Sequence, residues 1–454
     1  MKKICTCILV STLSCLLFSC EKFLDKKSDM QLATPATITD LKALLYNIPM
    51  FQGFADAGEM SSNDFYITDE DLNSLYYESN KRLYSWQPDH VSMDAESGAN
   101  NWMNCYQPVY VCNSVLQSLK DNNLSGPEAD DIKGQALVLR AARFLDGVQI
   151  WAPVYNPLTA YTDLGMVLRL DPDMNIPSKR ATVQQTYDQI INDLSEAIPL
   201  LGTSASSSNI PTKASAYGLL ARTYLIMGNY ELAKKNAEAV LQFNDRLINF
   251  NDLNPAAAFP VPGTRLYAPD ELTLLTTMSI SELDMTSMIR VNPELYNLYP
   301  ENDLRKVLYF NLKQDGSYVF KGAHTSYQFC TGVTTAEVML IIAECNARAG
   351  KLIEAANALD KLGVKRWKTG TFIPFAFTDK DQALQIILEE RRRELAFRGL
   401  RWSDLKRLNR DGANITLTRT INGKVYTLPP NDKRYAIALP EDIVDIANIP
   451  QNPR

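Results

Sequence analysis

The sequence predicts a mostly α-helical protein, and three observations carry that prediction. Apolar residues return every three to four positions over long stretches, the period of a helix with one buried face. Two alanine-rich segments repeat one plan, an apolar helix, a glycine turn and a second helix. Between them, residues 245–330 lose the helical period and gather Pro, Asn and aromatic residues, including Pro255, Pro260, Tyr267, Tyr299, Phe310 and Tyr318. A long irregular stretch this rich in rings is too apolar for disorder and is expected to form a loop-rich, ligand-presenting lobe.

The elements follow in chain order. Lys2 and Lys3 precede an apolar run from Ile8 to Phe18, too short to span a bilayer, so residues 1–19 are expected to be a secretory signal. Leu17-Phe18-Ser19-Cys20 resembles the lipobox of bacterial lipoproteins, which implies cleavage before Cys20 and a lipid on its sulfur. Several acyl chains at about 0.8 kcal/mol per buried CH₂ would anchor the protein to a membrane without spanning it. Residues 20–35 then read as a lipidated tether.

Thr37-Ile-Thr39-Asp40 before Leu41, Leu44 and Leu45 predicts a capped helix start. Trp102, Tyr106, Tyr110 and Asn113 share one face of a long helix, and the 97–150 region reads as two antiparallel helices. The second carries Leu137, Leu139, Ala141, Phe144, Leu145 and Val148 on its buried side and stops before Pro153. After a poorly periodic stretch from Tyr155 to Ser178, Thr182 opens a helix to about Leu200. The repeated segments, Ala214 to Leu241 and Glu337 to Leu362, hinge at Gly228 and Gly350 and read as tetratricopeptide-type helix pairs, neither helix of which buries its face alone.

Composition narrows the function. The 454-residue chain is 46% hydrophobic with a net charge of −6, so it has a sizeable core and no signature of nucleic-acid binding. Only His90 and His324 are present and no CxxC occurs, so no metal site is expected. Cys105 and Cys112, seven apart on one predicted helix, lie about 10 Å apart along its axis and cannot form a disulfide with each other. No cofactor is expected. The acid runs Asp69-Glu70-Asp71 and Asp171/Asp173 are expected to be solvated loops; glycoside hydrolysis or calcium binding there is the lesser alternative.

One block needs more than solvation. Leu384, Ile387, Leu388, Arg391, Leu395 and Arg398 fall on one helical face, and arginines inside an apolar stripe must be paired. Glu337, Glu344, Glu390, Arg391, Glu394 and Arg398 are therefore read as a structural ion-pair network, with Glu337, Glu344 and Arg348 as partners of the two arginines.

Taken together these blocks resemble the SusD/RagB outer-membrane lipoproteins along essentially the whole chain. The residues that carry the resemblance are Phe23-Leu24-Asp25, Trp102-x₃-Tyr106 with Asn113, the block from Lys133 to Tyr155, Pro211-Thr212-Lys213, and Glu390-Arg391-x₂-Glu394-Leu395 through Arg401-Trp402-x-Asp404 to Arg407. Asn448-Ile-Pro450-Gln451-Asn452-Pro453 closes the set. Arg398 and Ala142 depart from the Glu and aromatic residue common at those places.

The resemblance implies a SusD-like fold, with an N-terminal helical region at 36–230 and a RagB/SusD C-terminal region at 231–454. It implies a non-enzymatic lipoprotein facing outward from the outer membrane, which binds a glycan or oligosaccharide and hands it to a SusC-like TonB-dependent transporter. A peptide ligand is the alternative, and a surface glycoside hydrolase a further one. Sugar receptors use exposed rings flanked by polar side chains, so the expected ligand residues are Asp64, Tyr66, Tyr76, Tyr77, Tyr84, Trp86, Arg290, Tyr296 and Tyr299. Trp86 is also readable as packing, and Trp102 and Tyr106, on a helix face, are read that way.

Overall fold

The computed structural model describes residues 35–88, 101–261, 271–323 and 328–454. The signal, Cys20, Phe23-Leu24-Asp25, His90 and His324 lie outside the described residues. The predicted class holds: long helices dominate, and the strands of the described residues form two-stranded antiparallel ladders.

The first predicted start is α1, Ile38–Leu45, where the Thr37 hydroxyl accepts from the Asp40 N–H and Asp40 reaches back to the Thr37 N–H. The long helices follow as α2, Asn101–Asp121; α3, Pro127–Trp151; α4, Val183–Leu200; and α5, Lys213–Met227. Beyond them lie α6, Tyr230–Leu241; α7, Thr335–Arg348; α8, Leu352–Arg366; α9, Lys380–Glu394; and α10, Arg401–Arg410. Thr182 and Thr212 cap α4 and α5 with reciprocal hydrogen bonds.

From α2 to α8 each of these helices packs against the next, so neighbours in sequence become neighbours in space. The α5–α6 and α7–α8 hairpins turn at Gly228 (φ +81°) and Gly350 (φ +74°), a left-handed conformation that glycine adopts without a Cβ clash. Ala216, Ala221, Ala233, Ala237, Ala343, Ala347 and Ala355 are buried between these helices, where small side chains let the axes approach. The hairpins also stack on each other, α6 against α7. The buried side of α3 carries all six residues expected there. Cys105, Cys112, Cys330 and Cys345 are free and buried.

One boundary differs from expectation. Helix α9 ends at Glu394, and the chain then turns through Phe397 (φ +57°) and Gly399 (φ +70°), so Arg398 is off the helix and shares no face with Arg391. The turn buries Phe397 among the rings of Phe65, Phe320 and Phe329, and that packing overrides the helical period.

The described residues of the 245–330 stretch form short pieces. The strand Phe65–Tyr66 pairs with Arg290–Val291, Thr277–Met278 with Phe329–Cys330, and Phe310–Leu312 with Tyr318–Phe320. Its rings mostly turn inward: Phe250, Tyr299, Tyr309, Phe310, Phe320 and Phe329 all belong to the main core.

Candidate functional site

The short ladder between residues 65–66 and 290–291 builds one side of an exposed rim. Strand alternation sends Phe65 and Val291 into the core and leaves their neighbours Tyr66 and Arg290, directly opposite each other, half-buried at the surface. The Arg290 guanidinium donates to Asp71 Oδ2 at 2.6 Å and to the Met288 carbonyl at 3.1 Å, and its Nε lies 3.5 Å from Asp315. Asp71 is itself positioned by Thr68, whose hydroxyl both donates to its carboxylate and accepts its backbone N–H.

The second side is an aromatic pair. Glu282 sits at φ +59° and its carboxylate accepts the backbone N–H groups of Tyr76 and Tyr77 and the Asn80 amide, at 2.5–3.2 Å. Held this way, Tyr76 is 85% exposed, with Tyr77 edge-on to it at 5.0 Å between ring centres. On the far side Tyr296 stacks on Tyr318 at 3.8 Å, with Lys306 above it. The Tyr318 strand packs beside the Arg290 strand. Tyr66, Tyr76, Tyr77, Arg290 and Tyr296 therefore lie on half-buried or exposed ground, with Asp71 and Asp315 on Arg290, Glu282 behind the Tyr76–Tyr77 pair and Tyr318 on Tyr296. None of these four partners is among the expected ligand residues. Asp71 lies within a legible acid run and Tyr318 within the aromatic-rich stretch, whereas Glu282 and Asp315 carry no local signal.

The other expected ligand residues are corrections. Asp64, Tyr84, Trp86 and Tyr299 are at most 5% exposed and cannot meet a ligand in this structure. Asp64 is an ion-pair partner of Arg392 at 3.1 Å. Tyr84 accepts the Ile67 N–H through its hydroxyl, and the Arg419 guanidinium lies over its ring. Trp86 donates its indole N–H to the Ser61 carbonyl, and Tyr299 its hydroxyl to that of Arg393. Buried Tyr and Trp need a partner for the polar tip, and each of these has one inside the protein.

The charged block forms buried ion pairs with partners other than those expected. Arg391 pairs with Asp404 at 2.9 Å, while Arg398 donates to the Cys330 and Gly332 carbonyls. Glu337 belongs to Arg222, and Glu344 to Arg407 and Arg348. Arg305 bridges Asp303, Glu390 and Glu394, and Arg366 joins Glu394 to Glu271. Against the upward push of burial, Arg305 and Arg393 bring the Glu390 carboxyl down to about 2, and Arg391 and Arg407 do the same for Asp404. These carboxylates are engaged in holding helices together.

The remaining acid runs are local. Asp171 accepts the Asp173 N–H and Asp173 the Asn175 N–H, two consecutive turns. Among the described residues no group of three His, Cys, Asp or Glu side chains is placed to hold a metal ion.

A cleft of about 510 Å³ lies elsewhere, along α2, walled by Trp102, Tyr106, Tyr110, Val167 and Met174 and by the Ile443–Ile449 segment. Part of its polar lining is engaged within the protein. The Tyr106 hydroxyl donates to the Val167 carbonyl, and Asn113 donates to that of Arg169 and accepts from Arg140. Trp102 lies tilted against Tyr106 at 4.4 Å between ring centres and meets Trp151 edge-on, as the packing reading expected. The cleft is walled mainly by apolar side chains, with Gln107, the Tyr110 hydroxyl and Ser178 among its polar lining.

With this geometry in view, likeness to known proteins is informative. A family model described as starch-binding associating with outer membrane matches residues 22–225, and the SusD family model matches residues 334–442. The chain is 22% identical over 369 residues to SusD-like protein P2 of Formosa agariphila, covering 68% of this chain and 71% of that one. A SusD superfamily structure from Bacteroides thetaiotaomicron matches with a TM-score of 0.72 at 20% identity, over 92% of this chain and 100% of that one. A SusD-like carbohydrate binding protein from Bacteroides vulgatus matches with a TM-score of 0.67 at 18% identity, over 91% and 97%. At these identities the structural likeness is one of fold. A family model in each half of the chain, over residues 22–225 and 334–442, and a shared fold over nine-tenths of the length support a SusD/RagB family protein.

Proposed function

We propose that this protein is a cell-surface receptor that binds an oligosaccharide on the Tyr66–Tyr76–Tyr77–Arg290–Tyr296 rim and performs no chemistry on it. The observation that carries the reading is the 85% exposure of Tyr76 beside Tyr77, with strand residue Arg290 paired to Asp71 of the preceding short helix and near Asp315. A sugar's C–H face stacks on a ring, and its hydroxyls pair with such flanking groups.

In this reading a lipid on Cys20 holds the chain at the outer membrane, and the bound glycan passes to a SusC-like TonB-dependent transporter. Tethering raises the effective concentration at the transporter, so weak ligand affinity suffices. No helix among the described residues is long and apolar enough to cross a membrane. Residues 36–230 would form the N-terminal region and 231–454 the C-terminal one.

A glycan array probed with purified protein, alongside a Tyr76→Ala/Tyr77→Ala double variant, tests the ligand class. Capture of an oligosaccharide by the parent and its loss in the variant is the expected result. Capture of peptides instead of glycans would move the assignment to the peptide alternative, and release of reducing ends would make the protein a hydrolase. Mass spectrometry of the membrane-extracted protein tests the lipid: the first residue should be an acylated Cys20.

A further inference from the structure

Where the two helical hairpins stack, a trough opens between α6 on one side and α7 with the start of α8 on the other. It consists of two hollows of about 550 and 320 Å³, which share Lys234, Glu238, Asn346 and Lys351 and so run together. Leu241, Met339 and Ile342 line its inner end. Helix α6 is 12 residues long, about 18 Å, which accommodates about five residues of extended chain.

The charge of the trough opposes that of the whole molecule. Lys234, Lys235, Arg348, Lys351 and Lys361 line it against Glu231, Glu238 and Glu354, while the chain carries a net −6. Glu238 is already taken by Lys234 at 2.5 Å, and Arg348 by Glu344. Among the described residues Lys235, Lys351 and Lys361 make no ion pair, and all three are exposed. A second observation is independent of charge. Asn346 lines both hollows, is only 3% exposed, and its Oδ1 is buried without a hydrogen-bond partner. An unpaired buried acceptor is unfavourable, and a primary amide presents one acceptor and two donors, the complement of a peptide unit.

We propose that this trough is a docking site for an extended acidic peptide segment of a partner protein. The three free lysines meet its carboxylates, and Asn346 accepts one of its backbone N–H groups and donates to a neighbouring carbonyl. The site is separate from the aromatic rim and does not depend on what the rim binds.

Fluorescence anisotropy with labelled hexaglutamate, hexaserine and hexalysine, on the whole purified chain, tests it. Hexaglutamate should bind at low salt, weaken at about 0.3 M salt, and bind roughly tenfold more weakly to Lys235→Glu/Lys361→Glu. Those two side chains are exposed, so the variant should keep the parent melting temperature. Asn346→Ala should weaken hexaglutamate roughly fivefold through the lost backbone contact. Three results would overturn the proposal: no binding of hexaglutamate at low salt, binding unchanged in the lysine double variant, or equally tight binding of inorganic polyphosphate, which has no backbone N–H for Asn346 to accept.

Discussion

The rings of this protein divide into two populations that look alike in sequence and behave oppositely. Tyr76 is exposed and Tyr77 half-buried on the bend between the short helices Asp69–Ser74 and Glu78–Tyr84, their backbone N–H groups held by Glu282. Tyr299, Tyr309, Phe310, Phe320, Phe329 and Phe397 interlock edge-to-face or stacked at 4.4–6.4 Å between ring centres. The difference lies in what surrounds them. The inner rings sit against two buried arginines, Arg305 near Tyr299 and Arg366 over Phe250, whose charges are neutralised by Asp303, Glu271, Glu390 and Glu394. The outer pair has no such lining. Aromatic density in a loop-rich stretch therefore marks core as readily as it marks a ligand face.

The contrast can be broken most forcefully at the arginine lining. Arg305→Ala leaves Asp303, Glu390 and Glu394 facing one another without their shared cation, and should cost about 3–5 kcal/mol of stability in a urea titration. A cost near zero would mean that solvent reaches this network and that the inner rings are not sealed. Phe320→Ala, in the middle of the inner rings, should cost about 3–4 kcal/mol by the same measurement.

A third test uses pH at the seam between the rim and the helices. Burial, with the Asp64 carboxylate beside it, pushes Glu59 up to about 8 from its ordinary 4.5, despite the Gly399 N–H and Arg401. The folded protein thus keeps a proton that the unfolded chain releases above about pH 4.5. The neutral group's contribution is complete below that pH and is lost as pH rises towards and through 8, by up to about 1.4 kcal/mol per unit. Glu59→Gln should flatten the stability curve across that window, and an unchanged curve would show that other groups dominate.

The smallest expected effect on stability is the most telling for function. Tyr76→Ala should change stability by less than about 0.5 kcal/mol, because the ring touches little besides Tyr77. It should nevertheless weaken oligosaccharide capture on the array. A destabilisation comparable to that of Phe320→Ala would move Tyr76 into the packing population.

How much of this was legible varies with the range of the forces involved. The helix starts at Thr37 and Thr182 and the turns at Gly228 and Gly350 were readable, because each depends on residues within a few positions. Ion pairing of the arginine block was readable as a necessity, but the partners were not. Asp404 lies 13 residues from Arg391, while Glu337 finds Arg222 from 115 residues away. Four of the nine expected ligand residues were misplaced for the same reason: their partners are distant in sequence, and nothing near Tyr299 announces that the Arg393 carbonyl will accept its hydroxyl's hydrogen bond.

Residue order alone settled the helical class, the paired hairpins with their alanine seams, and the need to neutralise buried arginines, since these follow from backbone geometry and the expense of burying charge. Which ring faces water, which carboxylate meets which arginine, and where a cationic trough opens between stacked hairpins were settled by chain folding. Each of those outcomes is a contact between segments distant in sequence, and its energy exists only once packing has brought them together.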